Sequence, residues 1–417
     1  MSATQPDVLI VGAGLAGLCC GKRLAECGVS FRILEAEYGV GGRVRTDLVD
    51  GFRLDRGFQI YLTAYPEGRR VLDLAALDLK PFTRGALVWF GGKFHRVADP
   101  RSEPFGAVKS LFNPVGTVGD KLRLARLYWD AKRTPPGDSP DRITLDLLRE
   151  RVGPSLVERL FRPFLGGVFL EKELATSSRF LLMVLRTFGD GPGAVPALGM
   201  QAIPDQLAQK LPPDSVRLNT PVEHIGVREV FVNGESLRCR AVVVATDGPA
   251  AHRMLGEDVP DPGSNGTVTL YYSAARPPIG EPILMLDGQG RGPVNNVVVM
   301  SNASPAYAPA GTSLVAASVV GIPAADDAEL DRTSRVQLAE WFGADVMGWA
   351  LLRAYRIPHA LPAQGVGKLD PWQRPVRLRP GLYVCGDHRD NASIDGAMTS
   401  GFRAAQAAME DMTARLA

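Results

Sequence analysis

Apolar and polar positions near the start of the chain change period twice within thirty residues. Residues 7–11 (Asp-Val-Leu-Ile-Val) form a short apolar run, residues 13–27 carry helix formers and end at Gly28, and residues 29–34 form a second strand. That order predicts a β-α-β unit. Residues 46–55 then alternate in period two around Asp50-Gly51, a dipeptide suited to the positive φ angles of a tight hairpin turn. Residues 68–190 read mostly as helices with long irregular connections, among them 120–133 and 145–153. Strands return at 216–245, broken by Gly226 and Asn233-Gly234, and 241–246 (Ala-Val-Val-Val-Ala-Thr) reads as a buried one. The stretches 267–273, 295–301 and 312–320 are again strand-like, a helix is predicted at 326–343, and a last apolar strand at 381–387 precedes a small-residue helix from 394 to 412.

Mononucleotide-fold pieces at both ends and in the middle predict an α/β protein. The expectation is a Rossmann-like, mostly parallel and discontinuous domain made of 1–75, 196–256 and 374–417. An α+β substrate domain, 76–195 and 257–373, is inserted twice. The 417 residues suit two or three domains at roughly 100–200 residues each. The charge balance, 47 basic against 45 acidic residues, leaves 47 − 45 = +2 and excludes a nucleic-acid footprint. No apolar run approaches the ~18–20 residues of a membrane span, and the first residues lack a basic start and a cleavage site, so the expected location is cytoplasmic. Five cysteines show no C-x-x-C pair, and Cys19, Cys20 and Cys27 share one helical pattern, as core residues would. Five scattered histidines show no metal-ligand spacing, so no metal is expected.

The sharpest motif is Gly12-Ala13-Gly14-Leu15-Ala16-Gly17, directly after a strand and opening a helix, with Glu35 ending the next strand. One glycine allows the tight turn, one lets the backbone approach a pyrophosphate, and one lets helix and strand pack closely. The helix N-terminus supplies amides for the diphosphate, and Glu35 can accept from a ribose diol while disfavouring a 2′-phosphate. This pattern does not separate NAD from FAD. Just beyond it, Gly41-Gly42-Arg43-Val44-Arg45-Thr46 pairs two glycines with an arginine able to hold a phosphate. A second constellation, Gly386-Asp387, then Ser393-Ile394-Asp395-Gly396-Ala397, opens a helix whose positions 396, 400, 404 and 408 are Gly, Ser, Ala and Ala. That bare face admits a ring system or a neighbouring backbone.

Residues 34–47 followed by 50–59 (Asp-Gly-Phe-Arg-Leu-Asp-Arg-Gly-Phe-Gln) resemble the flavin-binding signature of the amine oxidase, protoporphyrinogen oxidase and phytoene desaturase superfamily. The C-terminal constellation is similar to the second flavin motif of that superfamily. The resemblance implies FAD, held by Gly12, Gly14, Leu15, Ala16, Gly17, Glu35, Ala36, Gly42, Arg43, Val44, Gly57, Phe58 and Gln59 at one end. Gly386, Asp387, Ser393, Ile394, Gly396 and Ala397 serve the other, and the Val222 backbone meets the adenine. Gly189–Ala194 also fits a relaxed dinucleotide fingerprint, but it follows a helical stretch and reads as a loop. With no second dinucleotide site, the expected electron acceptor is dioxygen, a quinone or another redox partner.

Superfamily amine oxidases place an aromatic residue where this chain has Ser393, and residues 392–401 look closer to desaturases of long apolar substrates. The leading expectation is therefore hydride removal from an apolar, isoprenoid- or carotenoid-like substrate. An amine or porphyrinogen oxidase, and a redox-neutral isomerase or FAD-binding scaffold, remain open. Gln59, His388 and Arg389 are candidate catalytic side chains. Residues 120–133 combine Lys121, Arg123, Arg126, Lys132 and Arg133 with Leu122, Leu124, Leu127, Tyr128 and Trp129, a basic amphipathic pattern suited to an anionic membrane surface.

Overall fold

The apolar run Val8–Val11 lies inside a six-stranded sheet of the computed structural model, which describes residues 5–99, 103 and 113–414. The strand order is Val216–Arg217, Phe31–Leu34, Val8–Val11, Ala241–Val244, Leu382–Val384, Arg377–Arg379. All neighbours are parallel except the last pair. The period-two pattern sorts the faces. Val8 and Ile10 pack with the first helix (Leu15–Glu26) and the C-terminal helix (Ile394–Ala414), while Leu9 and Val11 join Val242, Val244 and Val230 on the other side. Burial on both faces explains why these strands read as continuous apolar runs.

Close backbone packing sets the helices. A Cβ on Gly17 would stand 2.0 Å from the Gly12 carbonyl oxygen, and one on Gly401 would stand 2.0 Å from that of Ala16. The first helix thus lies tight against its strand, and the C-terminal helix tight against the first helix. The bare face of the C-terminal helix meets neighbouring backbone, since Ser400 Oγ accepts from the Gly386 amide at 2.9 Å.

A seven-stranded sheet forms the second layer, ordered Ala350–Pro362, Ser264–Ala274, Ser313–Val320, Val294–Val299, Leu284–Asp287, Gly85–Phe90, Lys93–Ala98. Here the expectation of helices through 68–190 is corrected: Leu79–Pro81, Gly85–Phe90 and Lys93–Ala98 are strands. Gly91 and Gly92, at φ +61° and +76°, make the two-residue turn that joins the last two. Among the described residues, the helices after these strands begin at Val118, and one of them widens at Val157–Phe161, where Pro163 lacks the amide that would continue the α-helical ladder. Cys19 and Cys20 are buried as expected, but Cys27 caps the first helix and is exposed.

Asp55 joins the two layers. Fully buried, its carboxylate accepts from Thr46 Oγ1 at 2.6 Å, the Met200 amide at 3.0 Å and Tyr307 Oη at 2.8 Å. Burial pushes its pKa up to about 6 from an ordinary 3.8. A carboxyl raised on folding takes up a proton in the native state, so its contribution is full below the unfolded pKa and is lost as pH rises through the folded one. Between about pH 5 and about pH 7.5, the wild-type unfolding free energy is expected to fall by about 1 kcal/mol more than that of Asp55→Asn. Urea titrations at the two pH values check this, and equal slopes contradict it.

Candidate flavin site

The first helix begins without a capping side chain. Its N-cap is Gly14, and the amides of Leu15, Ala16 and Gly17 have no acceptor among the described residues although all three residues are buried. Buried, unsatisfied helix amides are costly unless a ligand completes them. Gly12 makes the turn at φ +103°, where a side chain would be strained and its Cβ would lie 3.0 Å from the Ala245 oxygen. A Cβ on Gly14 would meet nothing within 4 Å, and one on Gly42 would meet only the Gly14 Cα, at 3.4 Å. The two glycines face open space across an isolated parallel bridge between Gly14 and Gly41.

Glu35 flanks this space. Its Oε2 accepts from the Ala13 amide at 2.6 Å and its Oε1 from the Glu37 amide at 2.9 Å, which fixes the carboxylate at the end of its strand. Each oxygen keeps a lone pair for a hydroxyl. The segment 215–222 runs alongside, with the Thr220 amide on the Glu35 carbonyl at 2.7 Å and the Asn219 amide on that of Glu37 at 3.0 Å. Val222 is thereby brought close to the same strand end, half-buried.

The C-terminal constellation arrives from the other side. Arg43 Nη2 lies 2.8 Å from Asp387 Oδ1, and Arg43 Nη1 donates to the Ala360 carbonyl at 2.7 Å. The Asp387 side chain is 5% exposed and that of Arg43 32%, so the carboxylate end of the pair lies out of water. The arginine that spacing assigns to a phosphate is thus engaged in bracing the two motifs. Ser393, where amine oxidases carry an aromatic, caps the C-terminal helix: its Oγ accepts from the Gly396 amide at 2.9 Å and its carbonyl from that of Ala397 at 3.0 Å. Gln364, not singled out by its sequence context, shapes the approach by donating to the Asp390 carbonyl at 3.1 Å and accepting from the Ala392 amide at 2.9 Å.

The three candidate catalytic side chains differ in placement. Gln59 Nε2 donates to the Arg43 and Arg56 carbonyls, at 2.8 and 3.0 Å, and braces the loop. Arg389 donates to the Pro375 carbonyl, its Nε at 3.1 Å. His388 is 3% exposed with neither ring nitrogen hydrogen-bonded, and burial pushes its pKa down to about 3. An imidazole held neutral in this way is a weak proton acceptor near neutrality. Among the described residues no group of His, Cys, Asp and Glu is arranged to hold a metal.

Residues 15–409 match the family of flavin containing amine oxidoreductases. The chain belongs to this family. It is 25% identical over 345 residues to the carotenoid phi-ring synthase of Streptomyces griseus, covering 71% of this chain and 65% of that protein. It is 28% identical over 171 residues to chloroplastic protoporphyrinogen oxidase 1 of Arabidopsis thaliana, covering 39% and 30%. These matches span less than two thirds of either relative's length. Among solved structures, a putative protoporphyrinogen oxidase from Exiguobacterium sp. shares the fold with a TM-score of 0.75 at 19% identity, over 99% of both chains.

The cofactor of a flavin containing amine oxidoreductase is FAD, and the site fits it. Three uncapped buried amides suit the diphosphate, the fixed Glu35 carboxylate suits the ribose, and the unpartnered nitrogens of His388 lie beside Asp387. Gly14→Ala separates folding from binding. Its backbone sits at φ −69° and its new Cβ meets no protein atom. The apoprotein should lose less than about 1 kcal/mol, while FAD affinity falls at least about tenfold, or ~1.4 kcal/mol. Thermal melts of apoprotein beside flavin-fluorescence titrations check both, and undiminished FAD affinity contradicts the placement of the diphosphate.

Proposed function

We propose that the chain is an FAD-dependent oxidoreductase that takes hydride from an apolar, isoprenoid- or carotenoid-like substrate. The flavin unit is 1–75, 196–256 and 374–417, and the substrate unit is 76–195 and 257–373. The observation that carries this reading is the character of the wall between the flavin motifs and the helical layer. Phe58, directly after Gly57, meets Phe82 edge-on with ring centroids 6.2 Å apart, and Phe164 meets Phe188 at 5.4 Å. Phe188 packs into both core clusters, and Leu361 stands next to the carbonyl that holds Arg43. All of these side chains are half-buried and none is ionisable.

Bound FAD supplies the hydride acceptor. The chain contributes position and dryness: helix amides and Glu35 hold the cofactor's diphosphate and ribose, the Arg43–Asp387 pair fixes the junction, and the aromatic wall orients a greasy substrate and excludes water. Similarity to a carotenoid phi-ring synthase along 71% of the chain supports the same substrate class. Ser393, spent as a helix cap, argues against an aromatic amine cage.

A porphyrinogen oxidase is the second reading. Similarity to a chloroplastic protoporphyrinogen oxidase over 39% of the chain supports it, whereas the charges of the roughly 530 Å³ surface cavity beside Phe82 are spent on one another, Arg96 pairing with Glu281 and Glu103 and Arg84 with Asp99. Anaerobic mixing distinguishes the two. Polyenes or their saturated precursors should bleach the flavin while amines leave it oxidised, and bleaching by porphyrinogens alone contradicts the first reading.

The same proposal includes contact with an anionic membrane surface through the helix Val118–Arg133. Leu127 and Ala131 are buried, whereas Leu122 and Trp129 are 65% and 56% exposed and Arg133 stacks on Trp129 at 5.0 Å. Among the described residues no helix is long and apolar enough to cross a membrane. Co-sedimentation with vesicles containing phosphatidylserine should drop at least about fivefold in Leu122→Asp/Trp129→Ala, a loss of roughly 1 kcal/mol. Wild-type protein that stays in the supernatant contradicts the contact.

A further inference from the structure

Asp395 occupies the first turn of the C-terminal helix, yet its carboxylate serves a different helix. One oxygen, Oδ1, accepts from the Glu67 amide at 2.8 Å and from the Gly68 amide at 3.0 Å. Those amides open the short helix Pro66–Val71, whose own N-cap, Tyr65, provides no capping side chain. The partner is held in turn. A Cβ on Gly68 would stand 2.1 Å from Tyr61 Oη, and Tyr61 meets Tyr65 edge-on at 5.6 Å, so the turn bearing the two amides has no room to shift.

Asp395 is 9% exposed, and a buried carboxylate that bridges two amides is a fixed point in the fold. On its own helix, Ser393 satisfies the amides of Gly396 and Ala397, while those of Ile394 and Asp395 have no acceptor among the described residues. The first turn of the C-terminal helix therefore carries two unbonded donors, and their direction is set by the clamp.

We propose that Asp395 is a positioning residue for the flavin: by clamping the C-terminal helix to the Pro66–Val71 turn, it aims the free amides of Ile394 and Asp395 at the cofactor and so raises the tendency of the bound flavin to be reduced. The inference rests on the reading that this helix N-terminus faces the flavin. Donors aimed at the ring stabilise the negative charge it gains on reduction. Loosening the turn weakens that stabilisation without removing any group that touches the substrate.

The test is the reduction potential of FAD in purified holoprotein, measured by dye equilibration in wild type, Asp395→Ala and Asp395→Asn, after the visible spectrum has established that each is flavin-loaded. Asp395→Ala should shift the equilibrium about tenfold toward oxidised flavin, about 30 mV for a two-electron couple. Asp395→Asn, which keeps an oxygen acceptor, should stay within about threefold of wild type, or ~0.7 kcal/mol. If Asp395→Ala does not fold, Asp395→Ser, whose hydroxyl does not reach both amides, carries the same expectation. An unshifted potential in yellow Asp395→Ala or Asp395→Ser protein overturns the positioning role and leaves the cofactor assignment standing. Equal shifts in the alanine and asparagine variants also overturn it, because charge and not the clamp would then be acting. A wild-type protein without flavin would instead remove the reading on which the inference rests.

Discussion

The Arg43–Asp387 pair is the contact on which the rest of the site depends. Its two members come from opposite ends of the chain, and the carboxylate is almost completely removed from water. A charge so placed is strongly destabilising unless its partner is present in good geometry. Arg43 Nη2 stands 2.8 Å from Asp387 Oδ1, which takes no hydrogen bond among the described residues, and a second nitrogen of the same guanidinium donates to the Ala360 carbonyl. One side chain thus ties the loop after the second strand, the strand before the C-terminal helix and the edge of the seven-stranded sheet. The glycine-rich ends each lie on a separate turn; packing of the C-terminal helix on the first helix brings them together, and this ion pair braces them side by side.

Around that junction the chain offers backbone where a binding protein more often offers side chains. Three amides of the first helix and two of the C-terminal helix lack acceptors among the described residues. The residues that stand there, Gly14, Gly42 and Gly396 among them, are small because something else must approach. Of these three, Gly396 is the tightest, since a Cβ there would lie 2.1 Å from the Asn391 carbonyl oxygen. The wall that the proposed function assigns to the substrate is built on the opposite principle, with large apolar rings half-buried against one another. The division matches the labour of a flavoenzyme, in which the cofactor carries the chemistry and the protein supplies position, electrostatics and dryness.

Local chemistry was readable where a short stretch determines its own shape. The Gly12–Gly17 turn, Glu35 at a strand end, the Asp50-Gly51 hairpin and the small-residue C-terminal helix all fall where period and turn residues place them. The strands between 79 and 98 were hidden because Gly85–Phe90 is one uninterrupted apolar run, compatible with a buried helix or a buried strand until its neighbours are known. Partners distant in sequence were not legible at all. Arg43 reads as a phosphate ligand until Asp387 is seen beside it, and Asp395 reads as part of a helix start until the amides of Glu67 and Gly68 are found on its carboxylate. Gln364 acts entirely through such contacts, and nothing in its flanking residues announces it; Asp55 stands inside the 50–59 signature, but its partners Thr46, Met200 and Tyr307 are not readable from that stretch.

The central claim is that two glycine-rich ends, braced by one ion pair, hold a single FAD along its length. The most direct measurement is the position of the flavin in electron density from crystals of the yellow holoprotein. The account predicts one FAD per chain, its diphosphate on the amides of Leu15–Gly17, its ribose on Glu35 and its ring at Ile394–Ala397. Density that places the ring away from the C-terminal helix, or two ends that hold separate ligands, would contradict it.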